Sequence, residues 1–287
     1  MKSNKLFKIL SFILVTLIVL SIFVPVVWVF LASVKEKGEF YGSPWTMPAG
    51  IYFQNFIDAF KEARMGEYFL NSVIVTILAL AINLVISVPA ANVISRFEFK
   101  GRGVLNTFFM AGLFINVNYI VIPIFLMLVN GDRALAELMP NGFFINNIFV
   151  LALVYAATTV PFTIYLLGGY LKTISSTYEE AARLDGASNF QVMTRVIIPM
   201  AKPSIITVIL FNFLSYWNDY IISLTLMPGE KRTLQVGLLN LMTAQKAAAN
   251  YGRLYAGMVI VMVPALIFYA LIQKQMIAGM AQGGSKE

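Results

Sequence analysis

The chain has 287 residues, 59% hydrophobic and 12% charged, with a mean hydropathy of +0.78 and a net charge of +7. A soluble domain is about half apolar and about a quarter charged, so this composition excludes an ordinary soluble enzyme and points to membrane spans. The absence of Cys and His excludes a disulfide framework, the usual zinc ligands and His or Cys catalysis.

The charges cluster and leave long gaps between them. The first gap, 9–34, follows Lys2, Lys5 and Lys8. Its apolar run is too long for the core of a signal peptide and is read as a retained helix. The segment 35–67 comes next, with Pro44, Trp45 and Pro48, and holds a short amphipathic helix over 56–65. That helix either caps the neighbouring helix ends or meets an external binding protein. The second gap is 68–95. The basic turn RFEFKGR, 96–102, reads as a positive-inside anchor. Further gaps fall at 103–130 and 143–171, separated by a loop around 132–137. The fifth apolar run, 204–228, carries one charge, Asp219. A loop at 230–253 with a helix over 234–249 leads to the last gap, 254–273.

A bilayer core of about 30 Å needs about 20 apolar helical residues, and each of these six runs is long enough. Helices satisfy their own backbone in lipid, and the short alternating segments of a barrel are absent. The expected fold is therefore an all-α integral membrane protein, residues 1–287 forming one domain of six transmembrane helices. With the N-terminus inside, inside segments carry Lys2, Lys5, Lys8, Arg96, Lys100, Arg102, Lys172, Arg183, Arg195, Lys202, Lys274 and Lys286 of the 21 Lys and Arg. This basic bias puts both termini in the cytosol, and the net charge follows from topology without nucleic acid.

The longest inside segment is 172–203. Ser175 and Ser176 precede Tyr178-Glu179-Glu180-Ala181-Ala182, a helix start with acids in its first turn. Asp185-Gly186 ends that helix after about two turns. A second helix over 189–198 follows, with Ser188 as its N-cap, and Pro199 and Pro203 lead into the fifth span. The small residues Ala181 and Ala182 keep the first helix slim enough for a groove on another protein. Glu179 and Glu180 are available to a basic partner residue, and such charge-assisted pairs are directional. Read from chemistry alone, the segment is equally an amphipathic linker.

Its spacing is specific: Glu180-Ala181-Ala182, Gly186 four residues after the last Ala, and Pro199 closing Val196-Ile197-Ile198. This resembles the EAA loop of the membrane subunits of ABC importers. Val196 and Ile198 stand where that pattern usually has Ile and Leu. The likeness extends to Phe69-Leu70-Asn71-Ser72, the 96–102 turn, Asp185-Gly186-Ala187, Trp217-Asn218-Asp219 and the tail 278–284. Together they resemble the carbohydrate-uptake, maltose-permease-like branch, in its shorter six-span subunit. Asp219 departs from the usual Glu, and Met280-Ala281-Gln282 from the usual Thr-Ala-Gly core.

The resemblance implies a cytosolic coupling helix between helices 4 and 5, with Glu179, Glu180, Ala181, Ala182, Asp185, Gly186 and Pro199 engaging an ATPase. It implies a second permease subunit as heterodimer partner, two ATPase subunits and an extracellular or periplasmic solute-binding protein. It places the chain in a bacterial or archaeal cell membrane. The chain has no Gly-rich phosphate loop, so it binds no cofactor of its own and is not an enzyme. ATP and Mg2+ belong to the partner ATPase.

Sugars are held by amides and carboxylates beside an aromatic plate. The polar residues of the spans are therefore substrate-pathway candidates: Asn116, Asn118, Tyr155, Asn212, Tyr216, Asn218 and Asp219, with Asn146, Asn147 and Thr158 beside them. Each could instead bridge helices or mark the interface belt, and Asp219 could serve the other permease subunit. Pro161 and Gly168-Gly169 precede the cytosolic loop; the glycine pair reads as close helix packing, or as a hinge. Among alternatives, an ABC importer for a polyamine or phosphonate shares the EAA loop. A secondary transporter would need mid-membrane ionisable groups and an internal repeat. A membrane scaffold would leave the EAA spacing without a reason.

Overall fold

Apolar runs without charges can satisfy their backbone in lipid as helices, and helices are what they form. The computed structural model describes residues 2–41, 43, 45–61, 63–248 and 250–283. Pro44, Ala249, Gly284 and Lys286 lie outside the described residues. No strand occurs among the described residues.

In chain order the helices are α1 (Lys2–Ser33), α2 (Gln54–Lys61), α3 (Met65–Arg96), α4 (Arg102–Gly112), α5 (Val117–Ala134) and α6 (Ile148–Leu171). Then come α7 (Thr177–Leu184), α8 (Asn189–Val192), a π-helical turn at Met193–Ile197, α9 (Ile198–Met200), α10 (Lys202–Asn218) and α11 (Ile221–Leu226). The chain ends with α12 (Leu234–Ala248) and α13 (Tyr251–Gly283). Five unbroken helices among the described residues are long and apolar enough to cross a membrane: α1, α3, α5, α6 and α13.

Two expected spans are broken. The run 103–130 divides into α4 and α5 at Leu113–Asn116. Gly112 lies against Pro161, where a Cβ would come 2.8 Å from the proline ring. Asn116 then restarts the helix as an N-cap, its side chain accepting from the Asn118 N–H at 3.0 Å. The run 204–228 divides at Asp219, whose backbone is extended (φ −70°, ψ 133°). Its first piece, α10, has 17 residues, about 25 Å at 1.5 Å per residue and short of the bilayer core. A sixth crossing also appears if the 189–200 segment and α10, bent by 74°, count as one. The expected start of α6 at 143 moves to Ile148. Residues 143–145 are held outside the helix by Asp132, which accepts their three backbone N–H groups at 2.6, 2.7 and 3.0 Å.

The chain forms two compact units. The first comprises Met1–Gly66 and Gly237–Val263. Here α1 buries none of its most apolar window, so its side chains are suited to lipid. Beyond it, Lys35 is fully buried. Its ammonium donates to the Thr46 hydroxyl at 3.1 Å and lies 5.1 and 5.3 Å from the ring centres of Trp28 and Phe40. Ring faces are attractive to a desolvated cation. The backbone N–H groups of Glu36 and Ala49 donate to the Glu39 carboxylate and hold it below the usual carboxylate range. Asn55 donates to the carbonyls of Ser33 and Lys35 at 3.0 and 2.7 Å, tying α2 to the end of α1. The helix expected over 56–65 thus begins at Gln54 and stops at Lys61. Arg64 takes a left-handed conformation (φ 55°) before α3 begins at Met65. Arg253 pairs with Asp58 at 3.0 Å, and Tyr255 stacks on Phe40.

The second unit comprises Glu67–Val236 and Pro264–Glu287. One apolar cluster joins Val75, Val121, Leu151, Tyr155, Tyr216 and Leu226. Another joins Ala91, Ile164, Leu171, Val192, Ile197 and Val208, with Ala182 and Ala187 packed against it.

At Gly252 a Cβ would stand 2.5 Å from Asn55 Nδ2 and 2.7 Å from the Lys35 carbonyl oxygen. That carbonyl is backbone and cannot step aside, so overpacking wins over any gain in helix propensity. Gly252→Ala is expected to cost about 1–3 kcal/mol, read as a lowered melting temperature of the detergent-solubilised chain. Gly38→Ala, where a Cβ meets nothing within 4 Å, should leave it unchanged.

Candidate functional site

Two regions of the second unit carry the polar candidates. The first is the elbow at 172–203. α7 begins where the Thr177 N–H donates to Ser175 Oγ at 3.3 Å. It ends at Gly186, which has φ +83°, a conformation that penalises a side chain. α8 then opens with a capping box: the Gln191 N–H donates to Ser188 Oγ and the Ser188 N–H to Gln191 Oε1. The second helix expected over 189–198 is realised as α8, the π-turn and α9.

α7 has two opposite faces. Glu179 is buried and Ala182 packs on the chain's own core, whereas Tyr178, Glu180, Ala181, Leu184 and Asp185 are exposed. Leu184 is 89% exposed and Phe190 of α8 is 70% exposed. Gly186 and Pro199 are exposed as well. These apolar groups stand exposed on a polar elbow outside the apolar helices.

The expectation that Glu179 is available to a partner is corrected. Its Oε1 stands 3.2 Å from Arg96 Nε, at the last residue of α3, with side chains 11% and 9% exposed. The approach is ionic and lacks hydrogen-bond alignment, and Arg96 Nη2 is buried without a hydrogen bond among the described residues. Arg183, one turn along α7, lies 3.7 Å from Glu179 Oε2 and 5.8 Å from the Phe97 ring. The 96–102 turn is therefore more than an anchor. Arg102 folds back on it, Nε donating to the Ile94 carbonyl at 2.8 Å, a C-cap for α3.

The second region is a polar ladder across α3, α6 and α10. Asn83, fully buried, donates to the Ala156 carbonyl at 3.2 Å and to Thr159 at 3.0 Å. Asn212 donates to Asn83 Oδ1 at 3.2 Å and to Thr163 at 3.0 Å. Thr159 also meets the Tyr216 hydroxyl. Tyr216 stacks parallel on Tyr155 with ring centres 5.4 Å apart. The Tyr155 hydroxyl donates to Asp219 at 2.7 Å. Asp219 also accepts from the N–H groups of Ile222 and Ser223 at 3.4 and 3.1 Å. Those donors open α11 and have no carbonyl within it.

The substrate-pathway candidates thus separate. Tyr155, Asn212, Tyr216 and Asp219 are joined in the ladder, with hydrogen bonds supplied from within the chain. Asn116, Asn118 and Asn218 are exposed, and Asn116 and Asn118 make no hydrogen bond to the ladder. Asn218 donates to the Leu214 carbonyl and accepts from Gln235 at 3.4 Å. Asn147 caps α6, accepting from the Phe149 N–H at 2.9 Å. Sequence reasoning passed over Asn83, Thr159 and Thr163, and read Arg96 only as part of the 96–102 anchor. An Asn in the middle of an apolar span was the available signal for the first. The reading of Gly168-Gly169 as close packing is also corrected. A Cβ at either would meet nothing within 4 Å, and the pair lines a cavity of about 230 Å³ with Asn106, Phe109 and Lys172.

Among the described residues no cluster could hold a metal ion. Long apolar helices, a ladder that closes their polar groups and a solvated elbow define a polytopic α-helical membrane protein. Residues 83–280 match the model of the binding-protein-dependent transport system inner membrane component family, and the chain belongs to that family. It is 33% identical over 98% of its length to 90% of the diacetylchitobiose uptake system permease protein NgcG of Streptomyces coelicolor. It is 32% identical over 94% of its length to 86% of the probable ABC transporter permease protein YurM of Bacillus subtilis. Among solved structures, a chain of a bacterial ABC transporter involved in import of the acidic polysaccharide alginate superposes with a TM-score of 0.78. That match is at 25% identity and covers 96% of this chain and 98% of that one.

Asp219→Ala would leave the Tyr155 hydroxyl and the N–H groups of Ile222 and Ser223 without their acceptor. At about 1–3 kcal/mol per buried donor left unpaired, it should lower the melting temperature well below that of Tyr155→Phe. Tyr155→Phe removes one hydrogen bond, worth about 1 kcal/mol. Equal melting curves for Asp219→Ala and the wild-type chain would assign Asp219 to something other than holding the helix break.

Proposed function

We propose that the chain is the permease subunit of an ATP-driven importer for a sugar or oligosaccharide delivered by a binding protein outside the membrane. The observation that carries it is the two-faced elbow. The family's members serve binding-protein-dependent transport, the EAA spacing falls on this elbow, and its outward face presents Glu180, Ala181, Leu184, Asp185 and Phe190 to solvent. The carbohydrate class is supported by a relative named for diacetylchitobiose uptake and by the likeness to a solved transporter involved in alginate import.

In this reading six crossings, with α4–α5 and α10–α11 as broken spans, place both termini and the elbow in the cytosol. A second permease subunit completes the path, and two ATPase subunits bind and hydrolyse ATP with Mg2+. Glu180 faces a basic residue of the ATPase, and the small side chain of Ala181 lets α7 seat in a cleft there. Gly186 sets the angle between α7 and α8. Pro199 precedes the bend of 74° into α10, so displacement of α7 and α8 swings that helix. Nucleotide at one side and the loaded binding protein at the other bias the same two states. In the path, Asn118 and Asn218 are the candidates exposed to a passing sugar, while Tyr155, Asn212, Tyr216 and Asp219 hold the helices that line it.

Glu180→Lys reverses the outward charge, and Gly186→Pro removes the left-handed turn because proline fixes φ near −65°. Both variants should reach the membrane at wild-type level, lose the co-purifying ATPase and lose at least tenfold in solute uptake. ATPase retained at full stoichiometry, with normal uptake in both, would refute the assignment of this surface.

A further inference from the structure

We infer that Arg96 is a positioning residue through which the elbow drives α3, so that the 96–102 turn receives the stroke of α7. This rests on the importer reading above. The elbow is continuous in sequence with α6 on one side and α10 on the other. Its motion reaches those helices through the backbone. α3 has no such backbone link, since Arg96 and Glu179 are separated by 82 intervening residues. The ladder ties α3 to α6 and α10 at Asn83, and side-chain chemistry at Arg96 ties its last turn directly to α7.

Three contacts make that joint. Arg96 Nε lies 3.2 Å from Glu179 Oε1, both side chains about nine-tenths buried. Arg183 holds the other carboxylate oxygen at 3.7 Å and reaches the Phe97 ring. On the receiving side, Arg102 donates to the Ile94 carbonyl and, at 3.4 Å, to that of Ser95, which fastens the turn to the last carbonyls of α3. A pull on Arg96 is therefore a pull on the helix and not on a loose loop.

The pair is poorly suited to a purely stabilising role. Arg96 Nε and Nη2 and Glu179 Oε1 are buried without hydrogen bonds. A buried ion pair with unmet hydrogen bonds gains little over an apolar pair of the same size, so stability alone does not account for it. Two neighbouring carboxylates of α7 are thereby given separate work. Glu180 faces outward to the motor and Glu179 inward to the helix that must move. The outward contact collects force and the inward one delivers it.

The test uses the assembled transporter in proteoliposomes with its binding protein and reads solute transported per ATP hydrolysed. Arg96→Ala should retain its ATPase subunits at wild-type stoichiometry and hydrolyse ATP, with that ratio lowered about tenfold. Glu179→Gln, which keeps the shape and removes the charge, should behave alike. Arg96→Glu alone should be at least as impaired. Arg96→Lys, which keeps a cation at this point and adds no charge beside Arg183, should hold the ratio within about twofold of wild type. A wild-type ratio in Arg96→Ala, or a ratio in Arg96→Lys as low as that of Arg96→Ala, overturns the inference. So does a normal ratio in Glu179→Gln should Arg96→Ala fail to assemble. Failure of the wild-type chain to carry any ATPase would instead overturn the importer reading on which this stands.

Discussion

A helix that stops among packed helices leaves N–H and C=O groups in need of partners, and each one buried unpaired costs about 1–3 kcal/mol. The architecture of the second unit depends on how that constraint is met at Asp219. The backbone departs from helix there, and the carboxylate takes over the acceptor role for Ile222 and Ser223. Tyr155 donates to the same group from α6, so one side chain closes the break and pins it to a neighbouring helix. Stacking of Tyr155 on Tyr216, and the meeting of Thr159 with Tyr216, extend the hold along α10 toward Asn212. The break is thus a fixed feature of the fold. Asn116 does the same job more simply where α5 restarts.

The elbow obeys the opposite rule. It lies where water is available, so its backbone can end and restart within a few residues, using Gly186 and a Ser188–Gln191 capping box. What needs explaining there is the apolar surface that stays exposed. Leu184 and Phe190 are among the most exposed large side chains of this segment. The opposite face of α7 is anchored by Ala182 and by the Glu179–Arg96 contact. A helix of eight residues has too few hydrogen bonds to persist alone in water. Packing on one side holds it in shape, and the other side stays exposed.

Much of the fold is legible in the sequence because a bilayer asks only for length and absence of charge. The runs 68–95 and 254–273 fall within α3 and α13, and 9–34 passes the end of α1 by one residue, for that reason. The broken spans were not legible. Leu113-Phe114-Ile115-Asn116 holds no Pro or Gly, and hydropathy is blind to a backbone turn in apolar residues. At Trp217-Asn218-Asp219 the signal was the charge, which invited a functional reading before a capping one. The elbow's Gly186 and Ser188 were readable because turn chemistry is local. The burial of Glu179 and exposure of Glu180 were not, because adjacent residues on a helix differ by about 100°. Which one turns inward depends on Arg96, a contact no local pattern records.

The ladder and the elbow together say where movement can occur. Asn83, Asn212, Thr163 and Thr159 satisfy one another inside the packed helices. Sliding those helices by a turn would strand several amides at once. Such a core is more readily displaced as a block than sheared. The cavity beside Gly168-Gly169 offers the contrast. There α6 faces Asn106 and Phe109 across about 230 Å³ of open space, with no side chain on the glycines to be stripped of contacts. The packed polar groups of α3, α6 and α10 therefore form one block, and the open space lies between the ends of α3 and α6 in that block and the facing side of α4.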